Sequence, residues 1–109
     1  MVIVTRRHLE RAAAKYKDAA KELEAWTVLV DKVRWRNFTE VRASFPDADF
    51  AHGFVVFNVR HNRYRLVTHI HYAKDDPNKG STRGHCYIRS FLTHAEYNNP
   101  ANWDKEFGS

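Results

Sequence analysis

The sequence predicts an α+β domain: two amphipathic N-terminal helices packed on one face of an antiparallel sheet of at least three strands. Three observations predict it. Apolar residues recur at helical spacing from Leu9 to Val33. From Phe54 to His71 they alternate about the dipeptide His61-Asn62. A chain of 109 residues with 15 aromatics and one cysteine allows a single modest core, and excludes an intramolecular disulfide framework or a multi-cysteine zinc site. Residues 1–109 therefore read as one domain, with 98–109 as a C-terminal tail.

The elements follow in order. Met1 to Val4 is a short β-prone run, and Thr5 is placed to cap a helix whose stripe is Leu9, Ala12, Ala13 and Tyr16. Asp18 is expected to cap a second helix running to about Val33, with Leu23, Trp26, Val30 and Val33 as its core stripe. Residues 35–53 read as irregular. Thr39 is expected to cap a short helix through Phe45 that Pro46 stops, while Trp35, Phe38, Phe45 and Phe50 tuck onto the core. Strands 54–60 and 63–73 are joined by His61-Asn62, where Asn tolerates the positive φ that a two-residue turn demands. That turn sets Arg60 opposite Arg63, Val59 opposite Tyr64, Asn58 opposite Arg65 and Phe57 opposite Leu66.

One face then carries Val55, Phe57, Val59, Tyr64, Leu66 and Ile70, the core face. The other carries Asn58, Arg60, Arg63, Arg65, His69 and His71. A third strand, 85–92, is expected to turn Cys86, Ile88 and Leu92 inward and to add His85, Tyr87 and Arg89 to that outer face. Residues 74–84 read as a mobile polar loop, Trp103 is placed to pack back on the body, and Gly108-Ser109 reads as an appended remnant.

The charge is +5, with an isoelectric point near 9.6, which favours an anionic partner, nucleic acid being the commonest. No apolar run approaches the ~20 residues of a membrane span, and the opening five residues are too short for a signal peptide. A cytoplasmic protein with no membrane partner is expected.

Several segments together carry a family likeness: Ala25-Trp26, Phe45-Pro46 with Ala48-Asp49-Phe50, Val56-Phe57-Asn58-Val59, Tyr64-Arg65-Leu66-Val67, Ile88-Arg89 and Thr93-His94-Ala95-Glu96-Tyr97. Over roughly residues 1–98 the chain resembles the HigB family, the RelE-like toxin halves of type II toxin–antitoxin pairs. The resemblance implies a RelE-like fold, an mRNA endoribonuclease acting on the ribosome, and a HigA-type helix-turn-helix antitoxin as partner. Two departures stand out: the 74–84 loop is longer than is usual there, and Asn98 stands where members often carry Asp.

The residues suit that chemistry in their own right. Metal-free RNA cleavage uses the ribose 2′-OH as nucleophile, so the protein must move two protons and stabilise a crowded, charged phosphorane. Histidine suits the proton steps and arginine the phosphorane, while tyrosine can hydrogen-bond or stack on a base. His94 and Tyr97, one turn apart after the last strand, join Arg65 and Arg89 as the expected catalytic set. Asn58, Arg60, Arg63, His69, His71 and Tyr87 are the expected RNA-binding set. No metal or other cofactor is expected.

Each position has an ordinary alternative: a turn cap for His94, a core aromatic for Tyr97, an Arg89–Glu96 surface ion pair, a merely solvated basic face. Zinc on His69, His71 and His85 is a further one, weakened because no carboxylate lies beside them in the sequence. At the level of function the rival is a non-catalytic RNA-binding module using the same face.

Overall fold

The computed structural model describes residues 1–103; Gly108-Ser109 and the end of the 98–109 tail lie outside the described residues. The chain begins with β1 (Val2–Val4), α1 (Arg6–Lys15), a 3-10 turn over Lys17–Ala19 and α2 (Ala20–Lys32). Then come α3 (Phe38–Ser44), β2 (Asp49–Ala51), β3 (Phe54–Val59) and β4 (Tyr64–His71). A small hairpin, β5 (Asp75–Asp76) and β6 (Gly80–Ser81), precedes β7 (His85–Thr93) and α4 (His94–Tyr97). The sheet order is β1-β7-β4-β3-β2.

The fold is α+β, and the three expected strands are adjacent and antiparallel. Two edge strands complete the sheet. β1 pairs parallel with β7, so the sheet is mixed. β2, in the stretch read as irregular, pairs antiparallel with β3. The β2–β3 link is His52-Gly53, both at positive φ (52° and 83°), the geometry of a two-residue hairpin. Histidine is not the residue that usually announces such a turn, which is why the strand escapes a sequence reading.

Caps differ from expectation as well. Thr5 occupies the α1 N-cap without a side-chain hydrogen bond. Asn37, not Thr39, caps α3, its side chain accepting from the Glu40 N–H at 3.0 Å. Asp18 caps nothing. From the 3-10 turn it crosses to the sheet, accepting from the Tyr64 hydroxyl at 2.8 Å and from Arg63 Nη1 at 2.7 Å.

Leu9, Ala12, Leu23, Trp26, Val30 and Val41 of the three long helices join one buried cluster with Val55, Phe57, Leu66, Cys86 and Phe91 of the sheet. All three helices therefore cover the same face. Phe57 is the aromatic centre, meeting Trp26 at 5.4 Å, Phe45 at 5.0 Å and Trp35 at 6.1 Å between ring centres. Phe50 does not join: it is 57% exposed, with its ring 5.9 Å from that of Phe38. Cys86 is fully enclosed, and burial pushes its thiol up to about 12.

The expected hairpin register holds: Asn58 pairs with Arg65, Phe57 with Leu66 and Val59 with Tyr64. The positive φ angles fall on Arg60 (53°) and His61 (59°), not on Asn62. The strands keep register because the Arg63 N–H still closes on the Arg60 carbonyl at 3.1 Å.

β7 holds a bulge. Val67 pairs with Ser90 and Thr68 with Ile88, so Arg89 is the extra residue. The bulge reverses the alternation beyond it. Phe91 enters the core, and Leu92, expected inward, packs on the outer face with Val56, Val67 and Trp103. The expected docking of Trp103 is found, and Ser90 Oγ donates to its carbonyl at 2.9 Å.

Residues 74–84, expected as a mobile loop, fold into the β5–β6 hairpin. Arg34 clamps it, donating to the carbonyls of Lys74 and Thr82 at 3.0 Å and to Asp75 at 2.7 Å. Gly84 closes it at φ 77°, where an added Cβ would lie 2.7 Å from the His71 carbonyl oxygen.

Candidate active site at the hairpin end of the sheet

Arg65 sits on β4, across from Leu92 and Asn58, on the face away from the helices. Its guanidinium carbon lies 5.1 Å from the centre of the Tyr97 ring, a cation–π contact. Its hydrogen bonds to the Tyr64 carbonyl, at 3.3 Å, and to Asn62 Oδ1, at 3.4 Å, are long. A planar group with five donors, held by a ring and two weak bonds, keeps capacity for an anion.

α4 presents Tyr97. Thr93 and Glu96 form a capping box: Thr93 Oγ1 accepts from Glu96 N–H at 3.3 Å, and Glu96 Oε1 accepts from Thr93 N–H at 2.9 Å. The turn cap is thus Thr93, which leaves the His94 side chain free of that task, and Glu96 is engaged in the cap. The His94 N–H donates to the Arg63 carbonyl at 3.0 Å, tying α4 to the hairpin turn. His94 is exposed one turn from Tyr97.

Tyr97 stacks on Trp103, 4.4 Å between centres and 12° from parallel, and its carbonyl accepts from the Trp103 indole at 2.7 Å. Burial, then the negative charge of Asp49, raises the Tyr97 phenol above its ordinary value, and Arg65 opposes them. Tyr97 is therefore a protonated donor at neutral pH.

Arg65, Tyr97 and Asn58 wall an open cavity of about 380 Å³ whose other side is Arg42, Asp47 and Asp49. These last three come from the stretch to which the sequence reading gave no chemistry. The visible signal was Pro46 with two aspartates at alternate positions, which place their side chains on one side of the chain entering β2.

Three expected placements need correction. Arg63 does not lie on the outer face; it reaches the helical side and pairs with Asp18 at 2.7 Å. The Tyr64 hydroxyl, then Arg63, hold the Asp18 carboxyl below the usual carboxylate range. Arg60 lies exposed in the turn, where its N–H donates to Glu22 at 2.9 Å. Of the two arginines flanking the turn, Arg63 has its charge met by a carboxylate, Asp18, while Glu22 holds Arg60 by its backbone N–H. Arg89, expected to cluster with Arg65 on the outer face, stands in the bulge, three residues from Leu92, the partner of Arg65, and so roughly 10 Å along the strand. The Val67–Leu92–Trp103 patch fills the face between.

The far end of the outer face carries an aromatic ladder. His69 meets His71 at 5.0 Å, His71 meets Tyr87 at 5.1 Å and Tyr87 meets His85 at 6.1 Å. Among the described residues no three His, Cys, Asp or Glu side chains converge as a metal-holding group.

Residues 19–100 match the family model described as HigB_toxin, the RelE-like toxic component of a toxin-antitoxin system. The chain is 30% identical over 100 residues to the mRNA interferase toxin HigB of Escherichia coli K12, an alignment covering 89% of this chain and 88% of that protein. Proteins named mRNA interferase HigB from Escherichia coli O157:H7 and Shigella flexneri are similar to the same extent.

Proposed function

The chain belongs to the HigB family of RelE-like toxins of toxin–antitoxin systems, and on that premise we propose that it is an endoribonuclease that cuts mRNA on the ribosome, in the cytoplasm, until a HigA-type helix-turn-helix antitoxin binds it. The observation that carries the reading is Arg65 poised over Tyr97 in the wall of a polar cleft, with the exposed His94 one turn before Tyr97 in the same short helix.

The chemistry divides among these groups. Arg65 faces the scissile phosphate, and its fork stabilises the charge that grows as the 2′-OH attacks. Tyr97 donates a hydrogen bond there, since its phenol stays protonated. His94 moves a proton at the sugar or at the leaving 5′-oxygen. The P–O5′ bond breaks as the bond from O2′ forms, leaving a 2′,3′-cyclic phosphate and a 5′-hydroxyl. Asn58 and Arg60 at one end, and His69, His71, Tyr87 and Arg89 at the other, extend the contact with RNA. Arg63 contributes through Asp18, to the frame.

Expression of this chain alone in a bacterium is expected to arrest growth, and co-expression of its antitoxin to relieve the arrest. Arg65→Ala, made to the same soluble level, should abolish it. Normal growth at high levels of the soluble wild-type chain contradicts the toxin reading. Arrest that survives Arg65→Ala contradicts the site.

A further inference from the structure

The cleft at Arg65 has a neighbour across Asn58. A second cavity, about 270 Å³, shares Pro46, Asp47, Ala48 and Asn58 as its wall. It is lined beyond them by Glu22, Phe45, Phe57, Arg60 and His61. A smaller recess of about 190 Å³ continues inward, sharing Glu22, Phe45 and Asn58 and adding Trp26. The middle cavity lies just under the range that takes a drug-sized ligand, so it suits one flat ring system. Its aromatic and polar lining, beside a phosphate subsite, matches how single-stranded RNA bases are held, by aromatic contact and hydrogen bonds to the base edge.

The donors and acceptors select among bases. The Glu22 carboxylate spends part of one oxygen on the Arg60 N–H at 2.9 Å and keeps its other lone pairs. A carboxylate only accepts, so it favours an edge with donors. The Trp26 indole N–H, in a side chain 4% exposed, has no acceptor among the described residues. It closes the recess behind the cavity, where it reports on what fills the neighbouring space. The guanine edge carries two adjacent donors, N1–H and the N2 amino group, next to the O6 acceptor. Uracil offers one donor between two acceptors, which a carboxylate repels.

We propose that the cavity of Glu22, Phe45, Asn58 and His61, which adjoins the Arg65 cleft, is a base pocket that selects guanine at the nucleotide beside the cleaved phosphate. The proposal rests on the ribonuclease reading and assigns that site its specificity.

The test uses four mRNAs on programmed ribosomes, identical except for G, A, C or U at that nucleotide, with the wild-type chain and Glu22→Gln. Glutamine keeps an acceptor for the Arg60 N–H and adds a donor. Wild type should favour G over U by about tenfold or more, the scale of one good two-point base contact. Glu22→Gln should shrink that ratio to about threefold or less, with the rate on the U-containing mRNA unchanged or raised. A second measurement needs only the wild-type chain. Guanosine 3′-monophosphate should shift the Trp26 indole N–H resonance, and uridine 3′-monophosphate should leave it in place. Equal cleavage of all four mRNAs by wild type, a G preference that survives Glu22→Gln, or an unmoved Trp26 resonance overturns the pocket while leaving the ribonuclease intact. Failure of wild type to cut any of the four overturns the ribonuclease reading, and the pocket with it.

Discussion

Arg65 is the residue on which the proposed chemistry turns, and its surroundings separate it from the paired Arg63. Arg63 is paired with Asp18, while Arg65 rests on a tyrosine ring with long hydrogen bonds. Arg65→Ala should lower single-turnover cleavage by about 10²–10³, the usual cost of removing a group that stabilises developing charge. Arg63→Ala should leave the cleavage step nearly unchanged. Arg89→Ala should weaken RNA binding and flatten its salt dependence by about one phosphate contact. Equal losses at all three would dissolve the distinction. Tyr97 gives a pH expectation. Burial and Asp49 raise its phenol, so ionisation of Tyr97 should cause no loss of rate below its ordinary value of about 10. Removing the charge with Asp49→Asn should move its tyrosinate absorbance titration downward; an upward move contradicts the assignment. The outward placing of Arg65 was legible in the sequence because a turn of known length fixes which strand residues face each other. Arg63 was not, because alternation of faces stops where the strand ends, and Arg63 lies in the turn. Arg42, Asp47 and Asp49 were hidden because folding, not spacing, brings their segment beside Asn58.

At the scale of elements, the hairpin end is held by a polar strap. Asp18 joins the 3-10 turn to β4 through Tyr64 and Arg63, and Glu22 of α2 holds the Arg60 N–H. The folded-state pKa of Asp18 is depressed, so its contribution to stability is present above the unfolded value of about 3.9 and is lost as pH falls through the folded one. Asp18→Asn should therefore be less stable than wild type at neutral pH, and the gap should close on acidification below about 4. Thermal unfolding at neutral and acidic pH reads this directly, and a gap that does not narrow removes the strap from the account. The long helices and the β3–β4 pairing could be read from apolar period alone. The β7 bulge could not, since nothing in Ile88-Arg89-Ser90 marks one residue as extra, and every side chain beyond it changes face. β1 could not be placed either. Three residues of β-prone sequence do not say which edge they join, and their parallel pairing with β7 is settled by the packing of α1 and α2 on the sheet.

The whole molecule is a sheet with two unlike faces. Three helices close one with a single aromatic-rich core. The other is left to polar and aromatic groups, except where Trp103 covers Val56, Val67 and Leu92. That patch parts the face into an Arg65–Tyr97 end and a histidine–tyrosine ladder. Arg65 and His71 are six residues apart on β4, so the two ends are roughly 20 Å apart. On the proposed reading, RNA laid along the face meets phosphate chemistry at one end and stacking groups at the other, and the +5 charge favours its approach. The central claim is that this surface cuts RNA by turning the substrate's own 2′-OH on the neighbouring phosphate. The most direct measurement is cleavage of a ribosome-bound mRNA in which the single ribose on the 5′ side of the cut is replaced by deoxyribose, with product ends analysed for the unmodified RNA. The account predicts a 2′,3′-cyclic or 3′-phosphate and a 5′-hydroxyl from the unmodified RNA, and no cut at the deoxy-substituted position despite nearly unchanged binding. Cleavage of the deoxy-substituted RNA at that bond, or products ending in a 5′-phosphate, would contradict it.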